Sequence, residues 1–417
     1  MRVWLKRGLA PLAVLVGVVV GVVHEYWNSS GVSVHTVTVG MAPSYIAVDS
    51  RTSHVFVTNS TSNSVSMLNT EAVQATVPIG GTPLPVAVAE RANRAFVLNS
   101  SGNSVSVLDA TTGMVLSKIP LPYPIDAAVD DTTGHVFVLH GGCGTAYHAV
   151  MLDAQSGHIL HTALLAGVPV GIAIDTRVQR VFIANSGNNT VNILDTVSGR
   201  LVHTVAVGAI PVSVALDTEV HHAFVTNRSD NTVSVIDARS GAVLRTVAVG
   251  QSPTSVAVDT RTARVFVVNA GDSTVSVLDA DTGTPLHTAT VGQNRVQGVS
   301  TAANPVDIVV DTRHGWVYIL NGSSLTHEPT WGSVSVLNAT SGAVRRTIPV
   351  GLFPQGEALD EARNRLFVVN EVGGAPRGGI QSWQWLAQGV RHWHTFLAPP
   401  QPLSTHGAVA VLDTSRL

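Results

Sequence analysis

The chain has 417 residues, 45% of them hydrophobic and only 12% charged, with a formal net charge of −3. So few charges exclude long helices with charged outer faces, and the near-neutral balance argues against gathering nucleic acid by bulk positive charge. The single cysteine, Cys143, excludes an intramolecular disulfide, so cysteine usage says nothing about the redox compartment.

The chain opens with Arg2, Lys6 and Arg7, followed by an apolar run from Gly8 to Val23. A basic start before an apolar stretch reads as a secretory signal. The run is shorter than the roughly 20 residues of a comfortable span. No small-x-small cleavage site follows, and Tyr26 and Trp27 suit a membrane interface. We expect an N-terminal membrane helix and linker over 1–29, an uncleaved signal anchor with its basic end cytoplasmic. Residues from about 30 onward would then be extracytoplasmic, in the periplasm or at the cell surface. A cleaved signal, and hence a secreted protein, is the alternative.

The rest of the chain is a repeat. A proline recurs after a Val-Gly pair or its equivalent at Pro43, Pro83, Pro124, Pro169, Pro211, Pro253, Pro305 and Pro354. Successive anchors are 40, 41, 45, 42, 42, 52 and 49 residues apart. That period, with four short strands per unit, indicates a β-propeller. The sixth unit shows the strands best, at Ser255–Asp259, Val265–Asn269, Thr274–Asp279 and Leu286–Gly292. Each is a short β-branched run bounded by turn residues. Third and fourth strands are joined by Asp-x-x-x-Gly, as at Asp109–Gly113 and Asp237–Gly241. There the carboxylate can accept backbone N–H groups and the glycine supplies a positive φ. Second and third strands are joined by Asn-x-x-x-Asn, as at Asn59 and Asn63. Residues that recur in register like these are scaffold.

The second strands Phe56–Asn59 (FVTN), Phe182–Asn185 (FIAN), Phe224–Asn227 (FVTN) and Phe367–Asn370 (FVVN), each followed by a VSVLD-like strand, resemble the YVTN-type (YncE-like) β-propeller repeat family. The resemblance covers about residues 32–414, although the motif is never spelled literally. It implies a secreted, periplasmic or surface-attached propeller, in a family whose members mostly have no assigned catalytic activity.

First, second and third strands occur eight times, but the eighth unit ends at Ala408–Asp413 without a fourth. His35–Gly40 (HTVTVG) matches His203–Gly208 (HTVAVG), a fourth strand. The expected architecture is therefore an all-β, eight-bladed propeller over 30–417 of four-stranded antiparallel blades. Pairing of residues 32–39 with 408–413 would close the ring and cover an open edge. The family resemblance makes seven blades the alternative.

Departures from the repeat are candidates for function. They fall on the face where second-to-third and fourth-to-first loops emerge. The third unit reads His140-Gly-Gly-Cys143-Gly-Thr-Ala-Tyr147-His148. Insertions at 293–304, 322–332 and 371–406 bring His327, Trp331, Trp383, Trp385 and Trp393. Insertions on one face often mark the binding face. Asp126 and Asp307 take the slot held by Ser213 and Ser255, and Glu357 replaces an apolar residue, Val256 in the sixth unit. All three should lie near the axis on that face. Carboxylates there suit a cation, a basic group or a sugar; the plain alternative is that the two aspartates cap turns. His140, Cys143 and His148 are weak candidates for zinc or copper. The tryptophans either pack the insertion or stack on a ring-shaped ligand.

There is no G-x-S-x-G elbow, H-E-x-x-H pair, phosphate loop or C-x-x-C-H attachment. The expected function is a non-catalytic, membrane-tethered binding or scaffold protein, monomeric. It would engage a protein, glycan or small ligand on the insertion-bearing face, and no cofactor is assigned. The runner-up, by analogy of fold alone, is a redox propeller holding haem or a quinone, with His140, His148 and His327 as ligands. Absence of the quinoprotein tryptophan-docking repeat counts against it. A metal-dependent, lactonase-like hydrolase using axial carboxylates is a third reading. Single-stranded nucleic acid is disfavoured by the charge.

Overall fold

A computed structural model describes residues 26–27, 33–69, 72–142, 145–292, 295–296, 299–300, 304–322, 332–371 and 406–417. Eight four-stranded antiparallel units span 43–78, 83–120, 124–165, 169–206, 211–248, 253–290, 305–351 and, for blade 8, 354–370 with 408–413 and 33–38. Innermost strands of successive blades touch all the way round, including blade 8 (Pro354–Asp360) against blade 1 (Pro43–Asp49). The ring is closed with eight blades.

The strands differ in burial because blades stack face to face. Second strands such as Val55–Asn59 and third strands such as Ser64–Leu68 are covered on both faces. They therefore read as nearly unbroken β-branched and apolar runs. Fourth strands such as Val73–Pro78 are half-wet and alternate. One aromatic ring per blade is fully buried: Phe56, Phe96, Phe137, Phe182, Phe224, Phe266, Tyr318 and Phe367. The core is thus a circle of seams between neighbouring blades.

Closure is made as expected. Ser33–Thr38 is the outer strand of blade 8, with Val34 opposite Leu412 and Val37 opposite Val409. Its side chains serve two seams. Val34 packs between blades 7 and 8, while Val37 and Val39 pack between blades 8 and 1. Most of the expected membrane helix lies outside the described residues. Tyr26–Trp27, read as interfacial, instead form a short strand paired with Ser33 and Val34. Among the described residues no helix is long and apolar enough to cross a membrane.

The turns follow their residue chemistry. Asp109 Oδ1 accepts the N–H groups of Thr111 and Thr112, and Gly113 turns at a φ of 74°. Asn63, Asn103, Asn189 and Asn231 all have positive φ, which asparagine tolerates. Their side chains also tie blades together. Asn103 Oδ1 accepts the Tyr123 N–H of the next blade, and Asn231 Oδ1 that of Ser252.

Candidate functional site

Every innermost strand opens with a buried proline, and the ladder slips at a bulge immediately after it. Proline has no N–H to give the ladder, and a bulge re-aims the side chain that follows. The re-aimed slot holds Tyr45, Pro85, Asp126, Gly171, Ser213, Ser255, Asp307 and Gly356 in blades 1 to 8. The slot after it holds Ile46, Val86, Ala127, Ile172, Val214, Val256, Ile308 and Glu357.

Asp126 and Asp307 have the same local geometry. Asp126 Oδ1 accepts its own neighbour's N–H, from Ala127 at 2.8 Å, and Asp307 Oδ1 accepts that of Ile308 at 2.9 Å. The Ser255 hydroxyl adds a long bond to Asp307 at 3.4 Å. The capping role is therefore present. Each residue is only partly exposed, and protein packs closely around its carboxylate. That burial raises both pKa values to about 6, against the hydrogen bonds they accept. In the following blade the same slot is glycine, Gly171 after Asp126 and Gly356 after Asp307.

Glu357 is more extreme. It is 7% exposed and lies at the seam of blades 7 and 8, where the core includes Tyr318, Leu320, Leu366 and Val368. Neither carboxylate oxygen has a hydrogen-bond partner among the described residues. Burial, then the charge of Asp307, push its pKa well up. The Leu320 backbone opposes that shift. A buried acid in this setting holds its proton.

No innermost strand contains a lysine, arginine or histidine. The acids at this end of the channel have no cation beside them on the channel wall. The acids at the other end differ. Asp49, Asp130, Asp175, Asp217, Asp259, Asp311 and Asp360 are buried to 0–1% exposure, and they accept turn amides, as Asp49 does from Arg51 and Thr52. Those carboxylates have a structural task; Glu357 has none.

Tyr45 was not singled out from the sequence. It occupies the Asp126 slot in blade 1 and is 42% exposed. Burial of its hydroxyl end and the Asp126 charge raise its pKa. The signal that would have found it is its register, two residues after the blade-opening proline.

His140 and His148 are brought together. They face each other across the second and third strands of blade 3. Six other blades put a buried asparagine opposite a serine or threonine here, with Asn Nδ2 donating to the hydroxyl at 3.0–3.3 Å. In blade 3 two imidazoles stack instead, centroids 5.2 Å apart and planes 19° from parallel. Both Nδ1 atoms are buried without a partner. Burial, then His148, lower the His140 pKa, with the Pro122 backbone opposing. An imidazole lone pair lies in its ring plane, so near-parallel rings do not aim at one ion. Among the described residues no group of three or more His, Cys, Asp or Glu is arranged for a metal. Cys143, His327, Trp331, Trp383, Trp385 and Trp393 lie outside the described residues.

A cleft of about 450 Å³ opens elsewhere, between blades 5 and 6, lined by Ile210, Arg228, Ser229, Asn231, Gln251 and Ser252. It holds one cation and no carboxylate. We place the candidate site at the axis, where unbalanced charge and an unpartnered buried acid coincide.

No protein-family model and no curated protein matches the chain. Solved structures do. BamB from Moraxella catarrhalis is 15% identical with a TM-score of 0.56, covering 94% of this chain and 100% of its own. Hydrazine synthase from Kuenenia stuttgartiensis is 16% identical with a TM-score of 0.55, covering 73% and 97%. The dihydro-heme d1 dehydrogenase NirN, in complex with DHE, is 12% identical with a TM-score of 0.58, covering 73% and 66%. At such identities the likeness shows a shared propeller fold and nothing about activity.

Proposed function

We propose that this is a non-catalytic binding propeller that takes a cationic ligand at the insertion-bearing mouth of its channel. The observation that carries the reading is the one-sided charge of the channel wall. Asp126, Asp307 and Glu357 stand at that end with no basic residue on any innermost strand. Tyr45, which feels the Asp126 charge from blade 1, offers an aromatic face and a phenol to the same guest. Carboxylates in a narrow channel with low-dielectric walls focus an attractive field on cations. The YVTN-type motifs and the basic, apolar N-terminus support an extracytoplasmic setting with a membrane tether, and the BamB-like fold is compatible with it.

The test is calorimetric titration of the full-length protein with a charge-matched set: an organic diamine, a lysine-rich peptide and an acidic peptide. The cationic probes should bind, the acidic one should not, and the double variant Asp126→Asn/Asp307→Asn should lose at least tenfold in affinity. Binding that survives the double variant unchanged, or a preference for the acidic peptide, would overturn the reading.

A further inference from the structure

The two ends of the acidic wall are not equivalent. Asp126 is followed in blade 4 by Gly171 and Ile172, so its seam carries one acid. Asp307 is followed in blade 8 by Gly356 and Glu357, so the seam between blades 7 and 8 carries two. Side chains alternate along a strand. Glu357 lies at that seam within reach of the Asp307 charge, which adds to the effect of burial in raising its pKa. Gly356 stands between the two acids in register, and a Cβ there would come no nearer than 3.6 Å to its neighbours, Ser44 O and Ile46 Cγ2 of blade 1.

What this seam lacks is a donor for either Glu357 oxygen and for the second oxygen of Asp307. Both Glu357 oxygens are without a partner, and both recorded hydrogen bonds to Asp307 end on Oδ1. A primary ammonium group carries three donors and one positive charge on a small head. It fits two carboxyls on adjoining blades better than a quaternary ammonium, which would leave the oxygens unpaired, or an anion, which they would repel.

We propose that the seam between Asp307 and Glu357 seats a primary ammonium group, taking it up in exchange for one proton released to solvent. This rests on the cationic-ligand reading above and adds the chemistry and the proton coupling. Charge balances in the exchange. The empty seam holds one proton on its two carboxyls. The ammonium brings one positive charge, the Glu357 O–H bond breaks, and its proton passes to water.

The elements packed on Glu357 are the inner and second strands of blade 7, the second strand of blade 8 and the inner strand of blade 1. Their titratable groups are Asp307, Asp311 and Tyr318, then Arg365, then Tyr45 and Asp49. Arg365 is held by Asp413 at 2.9 Å, and Asp49 by its turn amides. Asp307 and the Tyr318 phenol are the groups whose ionisation is tied to Glu357.

The experiment titrates full-length protein with n-butylammonium, with N-acetyl-lysine N-methylamide and with tetramethylammonium, in two amine-free buffers of different ionisation heat. Either primary amine should bind with release of about one proton near pH 6.5, and affinity should rise up to tenfold per pH unit while the seam holds its proton. The tighter of the two probes identifies a free amine or a lysyl side chain as the source. Tetramethylammonium should bind at least tenfold more weakly. Glu357→Gln, which keeps size and removes the proton, should lose the proton release, whereas Glu219→Gln, at an exposed acid paired with Arg177 away from the axis, should retain it. Amine binding with no proton release, or release unchanged in a folded Glu357→Gln protein, overturns the proposal while leaving the cationic reading intact. Failure of every cationic probe overturns both.

Discussion

Glu357 stands where seven other blades carry Ile46, Val86, Ala127, Ile172, Val214, Val256 or Ile308. A buried carboxyl with no hydrogen-bond partner costs free energy that an apolar side chain does not. Glu357→Val, which copies blade 6, should therefore stabilise the protein by about 1–3 kcal/mol while abolishing the seat. A denaturant midpoint that moves down instead would mean the acid has a partner in the fold. Asp126 and Asp307 add a pH signature. Their folded pKa values, near 6, lie above the ordinary value of 3.8. A carboxyl with a raised folded pKa contributes fully below about pH 4, where it is protonated in both states, and its contribution is lost as pH rises through about 6. Asp126→Asn and Asp307→Asn should each raise the melting temperature at pH 8 and leave it unchanged at pH 4. Equal shifts at the two pH values would show that the carboxylates are not penalised by the fold.

At the scale of an element, the hairpin of blade 3 is a repeat unit with its polar clasp exchanged. Six blades hold the base of this hairpin with an asparagine-to-hydroxyl bond; blade 3 holds it with two stacked imidazole rings. The His140 pKa is lowered in the fold. The unfolded chain thus gains a proton that the folded chain resists as pH falls below about 6.5, and stability drops in that window. The double variant His140→Asn/His148→Ser restores the clasp of the other blades. It should raise stability at pH 5.5 by more than at pH 8, as read by parallel thermal melts. A pH-independent gain would trace the effect to packing instead of protonation.

At the scale of the whole molecule, the closing strand brings the start of the chain into both seams that flank blade 8, against the strands that end it. Val34, Val37 and Val39 are 4–7% exposed, and each is worth about 1.5–3 kcal/mol of apolar burial. Deleting residues 1–39 exposes those seams and the edge of Ala408–Asp413. The loss should be on the order of 5 kcal/mol, enough to lower the melting temperature by roughly 6 °C in a protein of this size. An open stack of blades also loses its reason to melt as one unit, so the transition should broaden. An unchanged, equally sharp melt after the deletion would show that closure does not depend on this strand.

The repeat period, the four strands per blade, the turn chemistry and the supply of the last strand by the first were all legible in the sequence. They were legible because each is written in local residue types and repeated eight times. Asp126, Asp307 and Glu357 were legible as departures from that pattern. What only the tertiary structure decided is which departures meet. The bulge after each proline sets where the next side chain points, the stacking of blades 7 and 8 sets Glu357 against Asp307, and the curvature of blades 1 to 3 brings Tyr45 within reach of Asp126's charge. Contacts between blades join residues about 40–50 positions apart through packing, and no local propensity encodes them.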